Sequence, residues 1–158
     1  MRVVTGAVTV VVLAGACAVP SRQQPGQATA AVRDALSEAS SAAETTRLAV
    51  ELLDEGRVTT PVADAAILDQ VRVLEEASTA LTTLVPPDDT SSAQRAAGLE
   101  AVGGVTVEVV AARAWVARAA GGDLTDAGDV PASGDEALAR LDAATTDLDA
   151  VLALAGGA

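Results

Sequence analysis

The chain has 158 residues, with ten arginines and no lysine against 22 acidic residues, for a formal net charge of −12. Half of it is hydrophobic, yet it holds a single tryptophan and neither phenylalanine nor tyrosine. That length allows one domain with a tail, an Ala-, Val- and Leu-rich composition favours packed helices over a β-sandwich, and the acidity argues against nucleic acid as a partner, since it repels a phosphate backbone.

Lysine, asparagine, phenylalanine and tyrosine are missing and isoleucine occurs once, at Ile67. That pattern is the mark of a GC-rich genome on residues with AT-rich codons. Histidine is missing too, and its absence has chemical force whatever its origin. No side chain titrates near neutrality at its ordinary pKa. A hydrolase with a histidine base, a histidine-ligated zinc and a di-iron bundle built on Glu-x-x-His pairs are excluded by inventory. The expectation is a non-enzymatic protein without a cofactor or catalytic metal.

Met1 and Arg2 give a short positive start, and Val3 to Ala16 form an apolar run broken only by threonines and glycines. Some 14 residues fall short of the roughly 20 that span a bilayer, so the segment predicts a signal peptide over residues 1–16. It ends at Leu13-Ala14-Gly15-Ala16-Cys17, and Cys17 is the one cysteine of the chain. This segment resembles the lipobox of bacterial lipoproteins, with small residues ahead of a cysteine; Ala14 stands where leucine is commonest and Leu13 one place earlier. The resemblance implies cleavage between Ala16 and Cys17, a diacylglyceryl group on the Cys17 sulfur, and a lipid anchor in the cell membrane on its extracytoplasmic side. It covers about a tenth of the chain. A second reading stays open, because Ala14-Gly15-Ala16 and Ala16-Cys17-Ala18 also fit the small-x-small site of ordinary signal peptidase, whose cut would release a secreted soluble protein.

Residues 17–27 hold two prolines, a glycine and a polar run without apolar periodicity, which predicts a flexible tether. About ten extended residues reach at most about 35 Å, enough to hold a domain clear of lipid headgroups. Beyond the cut, nine arginines against 22 acids leave −13, so the domain is repelled by an anionic membrane surface.

Four stretches between residues 28 and 158 show helical spacing, expected at about 28–55, 61–85, 91–120 and 134–154. In the first, Val32, Leu36, Ala39, Ala43, Thr46, Val50 and Leu53 recur at intervals of four and three, with Gly56 as the stop. The second opens at Thr60-Pro61, a capping threonine before a first-turn proline. Its stripe is Ile67, Val71, Leu74, Ser78, Leu81 and Val85, and Pro86-Pro87 ends it. The third carries Leu99, Val102, Thr106, Val109 and Val116. Its Val105–Val110 run has strand character in isolation, but Ala111 to Ala120 propagates helix and no partner strand exists. Gly103-Gly104 inside it predicts a kink or a close helix contact. In the fourth, Ser133-Gly134-Asp135-Glu136 has capping-box spacing, and Leu138, Leu141, Thr145, Leu148 and Leu152 follow. Helices of this length on short turns predict an all-α, antiparallel four-helix bundle with a thin core of small residues.

Candidates for chemistry are few. Asp123, Asp126 and Asp129 share a Gly-rich loop but lack the alternate-position spacing of a calcium loop, and read as a solvated turn. Glu75-Glu76 and Asp54-Glu55 are adjacent helical residues that do not face each other. Trp115, flanked by Arg113 and Arg118, is the candidate contact for a ligand or partner, since tryptophan anchors interfaces and guanidinium groups grip anions; its other reading is one large plug in an alanine core. Two functions follow: a lipid-tethered helical module that binds another envelope or secreted protein, or a carrier of a small or apolar ligand in a pocket between helices.

Overall fold

In the computed structural model, which describes residues 24–122 and 129–156, the chain forms a bundle of four helices with no strand among the described residues. These are α1 (Pro25–Asp54), α2 (Thr60–Thr83), α3 (Asp89–Ala119) and α4 (Gly134–Gly156). The signal segment 1–16, Cys17 and the loop acids Asp123 and Asp126 lie outside the described residues.

Helix α1 opens at Pro25, so the last three residues assigned to the tether belong to its first turn. Proline at the first helical position has the φ a helix needs, and the Gln24 backbone N–H donates to Oε1 of Gln27 at 3.2 Å, using a polar side chain that composition alone assigns to a linker. Gly56 ends the helix as expected: it takes a positive φ of 67°, and Arg57 N–H donates to Leu52 O at 2.8 Å while Gly56 N–H donates to Leu53 O at 3.0 Å, the paired bonds of a Schellman stop. The same device closes α3, where Gly121 has φ 84° and Gly122 N–H donates to Ala117 O at 3.0 Å.

The start of α2 differs by one residue from expectation. Thr59, extended at φ −89° and ψ 155°, precedes the helix, Thr60 and Pro61 sit in the first turn, and no threonine hydroxyl caps it. Its end differs too. The helix stops at Thr83 and Leu84 is extended, one residue short of Val85, which Pro86 bars from the helical region. The change of direction buries Leu84 and leaves Val85 61% exposed, so Leu84, not Val85, closes the core stripe. The expected polar member Ser78 yields the same way to its neighbour Ala77, which is fully buried.

Helix α3 runs unbroken through residues 105–110. Val105 and Val109 are fully buried while Val107 is 63% exposed, which is four-residue spacing; a strand would place all three on one face. Asp88 caps the helix by accepting from Ser91 N–H at 2.7 Å, and Arg95 of α3 donates to the terminal carbonyl of Leu84 at 3.0 Å, tying the start of α3 to the end of α2. For α4, Ser133 Oγ accepts from Glu136 N–H at 3.2 Å, while the Glu136 carboxylate accepts from Ala132 N–H at 2.7 Å, one residue before the donor a capping box uses.

The core follows the stripes. Val32, Leu36, Ala39, Ala43 and Val50 of α1, Ile67, Leu74 and Leu81 of α2, Val102, Val105, Val109 and Val116 of α3, and Leu141 and Leu148 of α4 are all buried. Thr46 is buried with its hydroxyl donating to Ala42 O at 2.9 Å, so its polar group is satisfied within its own helix. Helices α1 and α3 each pack against the other three, whereas α2 and α4 do not touch. The diagonal contact rests on small side chains: a Cβ at Gly98 would lie 3.5 Å from both Val32 and Leu81. Gly98 is the glycine of α3 that packs against neighbouring helices, with room for a Cβ only at ordinary contact distance, whereas at the expected Gly103-Gly104 pair a Cβ would meet nothing within 4 Å.

Since Gly103 is exposed and helical, Gly103→Ala gains helix propensity without a clash. It should raise stability by about 1 kcal/mol, seen as a rise of roughly 4 °C in the thermal midpoint; a fall would show that the glycine is needed by the fold.

Candidate functional site

The sequence singles out Trp115, Arg113 and Arg118, and the fold sends them to different places. Trp115 is 8% exposed and belongs to the core cluster. Its ring edge lies over Gly134 at the start of α4, where an added Cβ would be 3.2 Å from Cζ2 of the indole and 2.8 Å from Oδ1 of Asp54 at the end of α1. Arg113 reaches across to α2, its Nε donating to Oδ1 of Asp64 at 2.8 Å and its Nη2 to Oδ2 at 3.4 Å. Arg118 donates from Nη1 to the carbonyl of Pro131 at 2.9 Å, holding the segment that leads into α4. Both guanidinium groups thus have protein partners.

An open depression of about 720 Å³ lies over the start of α2 and the end of α3, between Thr60, Pro61, Asp64, Arg113 and Gly121. Trp115 does not line it. Asp54-Glu55 and Glu75-Glu76 are exposed surface acids, and Arg57 pairs with Glu55 at 3.1 Å.

A second depression, of about 600 Å³, runs between α3 and α4 and was not singled out by the sequence. Its floor is small: Ala97, Ala101 and Gly104 from α3 face Ala143, Ala144 and Val151 from α4. Its charged members are Glu100, Glu108, Asp147 and Arg140. Arg140 is held by Asp129, with Nη1 to Oδ2 at 2.8 Å, and by Glu136, with Nη2 to Oε1 at 2.6 Å. Those contacts depress both carboxylates. Arg140 lowers the Asp129 pKa; the Ala132 N–H, then Arg140, lower that of Glu136. The same pairs raise the Arg140 pKa, Asp129 first and Glu136 second. One oxygen of Glu108, Oε2, is buried without a hydrogen-bond partner among the described residues. A neighbouring apolar hollow of about 240 Å³ continues the groove toward the start of α3 and the end of α4, sharing Ala97 and Val151 and adding Ala93, Gln94, Leu154 and Ala155.

The only trace of this groove in the sequence is the Ala93, Ala97, Ala101, Gly104, Glu108 series at intervals of four, four, three and four. That spacing is the same as a core stripe, so only the packing separates them. Compared with known proteins, the chain matches no family model, no curated protein and no solved structure.

Gly134→Ala requires the exposed Asp54 carboxylate to swing aside and the indole edge, 3.2 Å from the new Cβ, to give by a few tenths of an ångström, whereas Gly134→Val drives a branched side chain further against the indole. The valine variant should lose about 1–3 kcal/mol and show red-shifted tryptophan emission; unchanged emission would place the ring elsewhere.

The depressed carboxylates also set a pH dependence. Asp88 is lowered from its ordinary 3.8 chiefly by the Ser91 backbone N–H and next by the Ser91 side chain; Asp129 and Glu136 are lowered as described. Lowered carboxylates contribute stability that is complete above their ordinary values and is lost as pH falls through the folded ones. A Glu136→Gln, Asp88→Asn double variant should therefore lose less of its urea midpoint than the parent between about pH 5 and pH 3. Equal losses would assign the acid sensitivity to other groups.

Proposed function

We propose that this protein is a lipid-anchored, non-enzymatic interaction module on the outer face of the cytoplasmic membrane, in which an antiparallel four-helix bundle presents a binding surface for another envelope or secreted protein. The observation that carries the anchor is Cys17, the one cysteine of the chain, closing a short apolar run behind Ala14-Gly15-Ala16. A lone cysteine in an oxidising compartment has no intramolecular partner, and lipidation gives it a role.

The up-and-down arrangement is supported by which ends meet. Asp54 at the end of α1 and Trp115 near the end of α3 both approach Gly134 at the start of α4. Arg113 near the end of α3 pairs with Asp64 near the start of α2. Thr29 near the start of α1 donates to Gln94 near the start of α3 at 3.1 Å, as alternate helices of such a bundle would. No described helix is long and apolar enough to cross a membrane, so in this reading attachment depends on the acyl chains, and the acidic domain stands off the headgroups at the end of its tether.

Intact mass spectrometry of protein recovered from host membranes, beside Cys17→Ser, tests the reading. The expected mass is that of residues 17–158 plus a diacylglyceryl group, lost in the variant. A free chain in the medium would instead make it a secreted helical domain.

A further inference from the structure

We infer that the groove between α3 and α4 is a docking surface for a basic amphipathic helix of a partner protein, with a lysine or arginine of that helix reaching Glu108. This deepens the interaction-module reading and rests on it for the class of partner.

Three independent features converge. The first is shape and lining. From Ala93 to Glu108 the α3 wall runs about 22 Å at 1.5 Å per residue, and Ala97, Ala101, Gly104, Ala143, Ala144 and Val151 keep it apolar and low. Leu154, 76% exposed, stands at the far end as an anchor. The second is Gly104. A glycine inside a helix costs stability, yet apart from its own helical turn no described atom comes within 4 Å of where its Cβ would be. The bundle's own packing does not use the space that glycine leaves, and a second backbone approaching the groove would. The third is charge. Glu100, Glu108 and Asp147 line the groove, and Arg140, its one cation, is already held by Asp129 and Glu136. Glu108 is half-buried in the groove wall and its Oε2 has no hydrogen-bond partner among the described residues, so its carboxylate is free to take a cationic donor at the groove face.

These features choose the occupant. A second copy of this chain is disfavoured, because two acidic surfaces repel and the chain carries −12. An extended peptide would lay unpaired backbone groups on an apolar floor that offers no strand edge. A helix satisfies its own backbone, its small-residue face fits between α3 and α4, and its cations meet the carboxylates.

The test is a photo-reactive benzophenone side chain placed at Ala143, an exposed residue on the α4 side of the groove, in the full chain in host cells, so that Gly104 stays open, with the same group at exposed Ala65 of α2 as control. The expected result is an adduct at Ala143 and not at Ala65, whose cross-linked segment, read by mass spectrometry, is an apolar helical repeat bearing lysine or arginine. Adding Glu108→Gln should cut its yield about tenfold, the loss of one charge-assisted hydrogen bond. An adduct to a small amphiphilic amine or lipid would overturn the proposal in favour of a carrier. No adduct, an acidic segment, equal labelling at Ala65, or insensitivity to Glu108→Gln would also overturn it. The mass of the recovered chain reports the Cys17 lipid separately, so loss of the anchor and loss of the docking site are read apart.

Discussion

Everything in this bundle depends on a core built from alanine, valine and leucine with one aromatic ring. Small side chains each remove little area from water, so burial has to accumulate along length, and α1 and α3 run 30 and 31 residues. Small side chains also let axes come close. That is why α1 and α3 touch across the diagonal through Gly98 and Val32, and why α2 and α4 are left on opposite flanks without contact. Trp115 is the exception that fits the rule, since its ring needs a glycine, Gly134, beneath its edge.

Four of the arginines join one element to another. Arg95 holds the Leu84 carbonyl just past the end of α2, Arg118 holds Pro131 ahead of α4, Arg113 joins α3 to Asp64, and Arg140 gathers Asp129 and Glu136. Exposed ion pairs contribute little to stability on average, and their value here is geometric: they fix where one helix ends and the next begins. The consequence is electrostatic. With so many cations engaged locally, the surplus carboxylates dominate the surface, most clearly along the groove of Glu100, Glu108 and Asp147.

The groove and the proposed anchor address different parts of one task. In the proposed reading, a tethered acidic module repelled from headgroups would be held in the space above the membrane and would meet cationic partners by steering as well as by contact. Glu108, with one carboxylate oxygen lacking a hydrogen-bond partner among the described residues, lines the same groove as Gly104, whose Cβ would meet no described atom outside its own helical turn.

Much of the fold was legible in the residues themselves. Four-and-three spacing of apolar side chains, the Gly56 stop, the Ser133 cap and the Pro86-Pro87 break are local signals, and local physics decides them: backbone φ, orphan N–H groups and the period of the helix. The misreadings were also local signals, overruled by neighbours. Val85 lost its core place to Leu84 when the chain turned before Pro86, Pro25–Gln27 joined α1 through the Gln24–Gln27 contact, and Gly98 took the packing role assigned to Gly103-Gly104. The candidate site was hardly legible at all. A stripe facing a neighbour and a stripe facing an empty groove have the same spacing, and Trp115 with two nearby arginines looks the same whether the three converge or part. Sequence alone determined the helical class, the acidity and the inventory of chemistry, because these depend on which residues are present and how they repeat; the tertiary structure alone decided which faces are covered, which arginines are engaged and where a carboxylate is left without a donor, because those depend on which helix lies opposite.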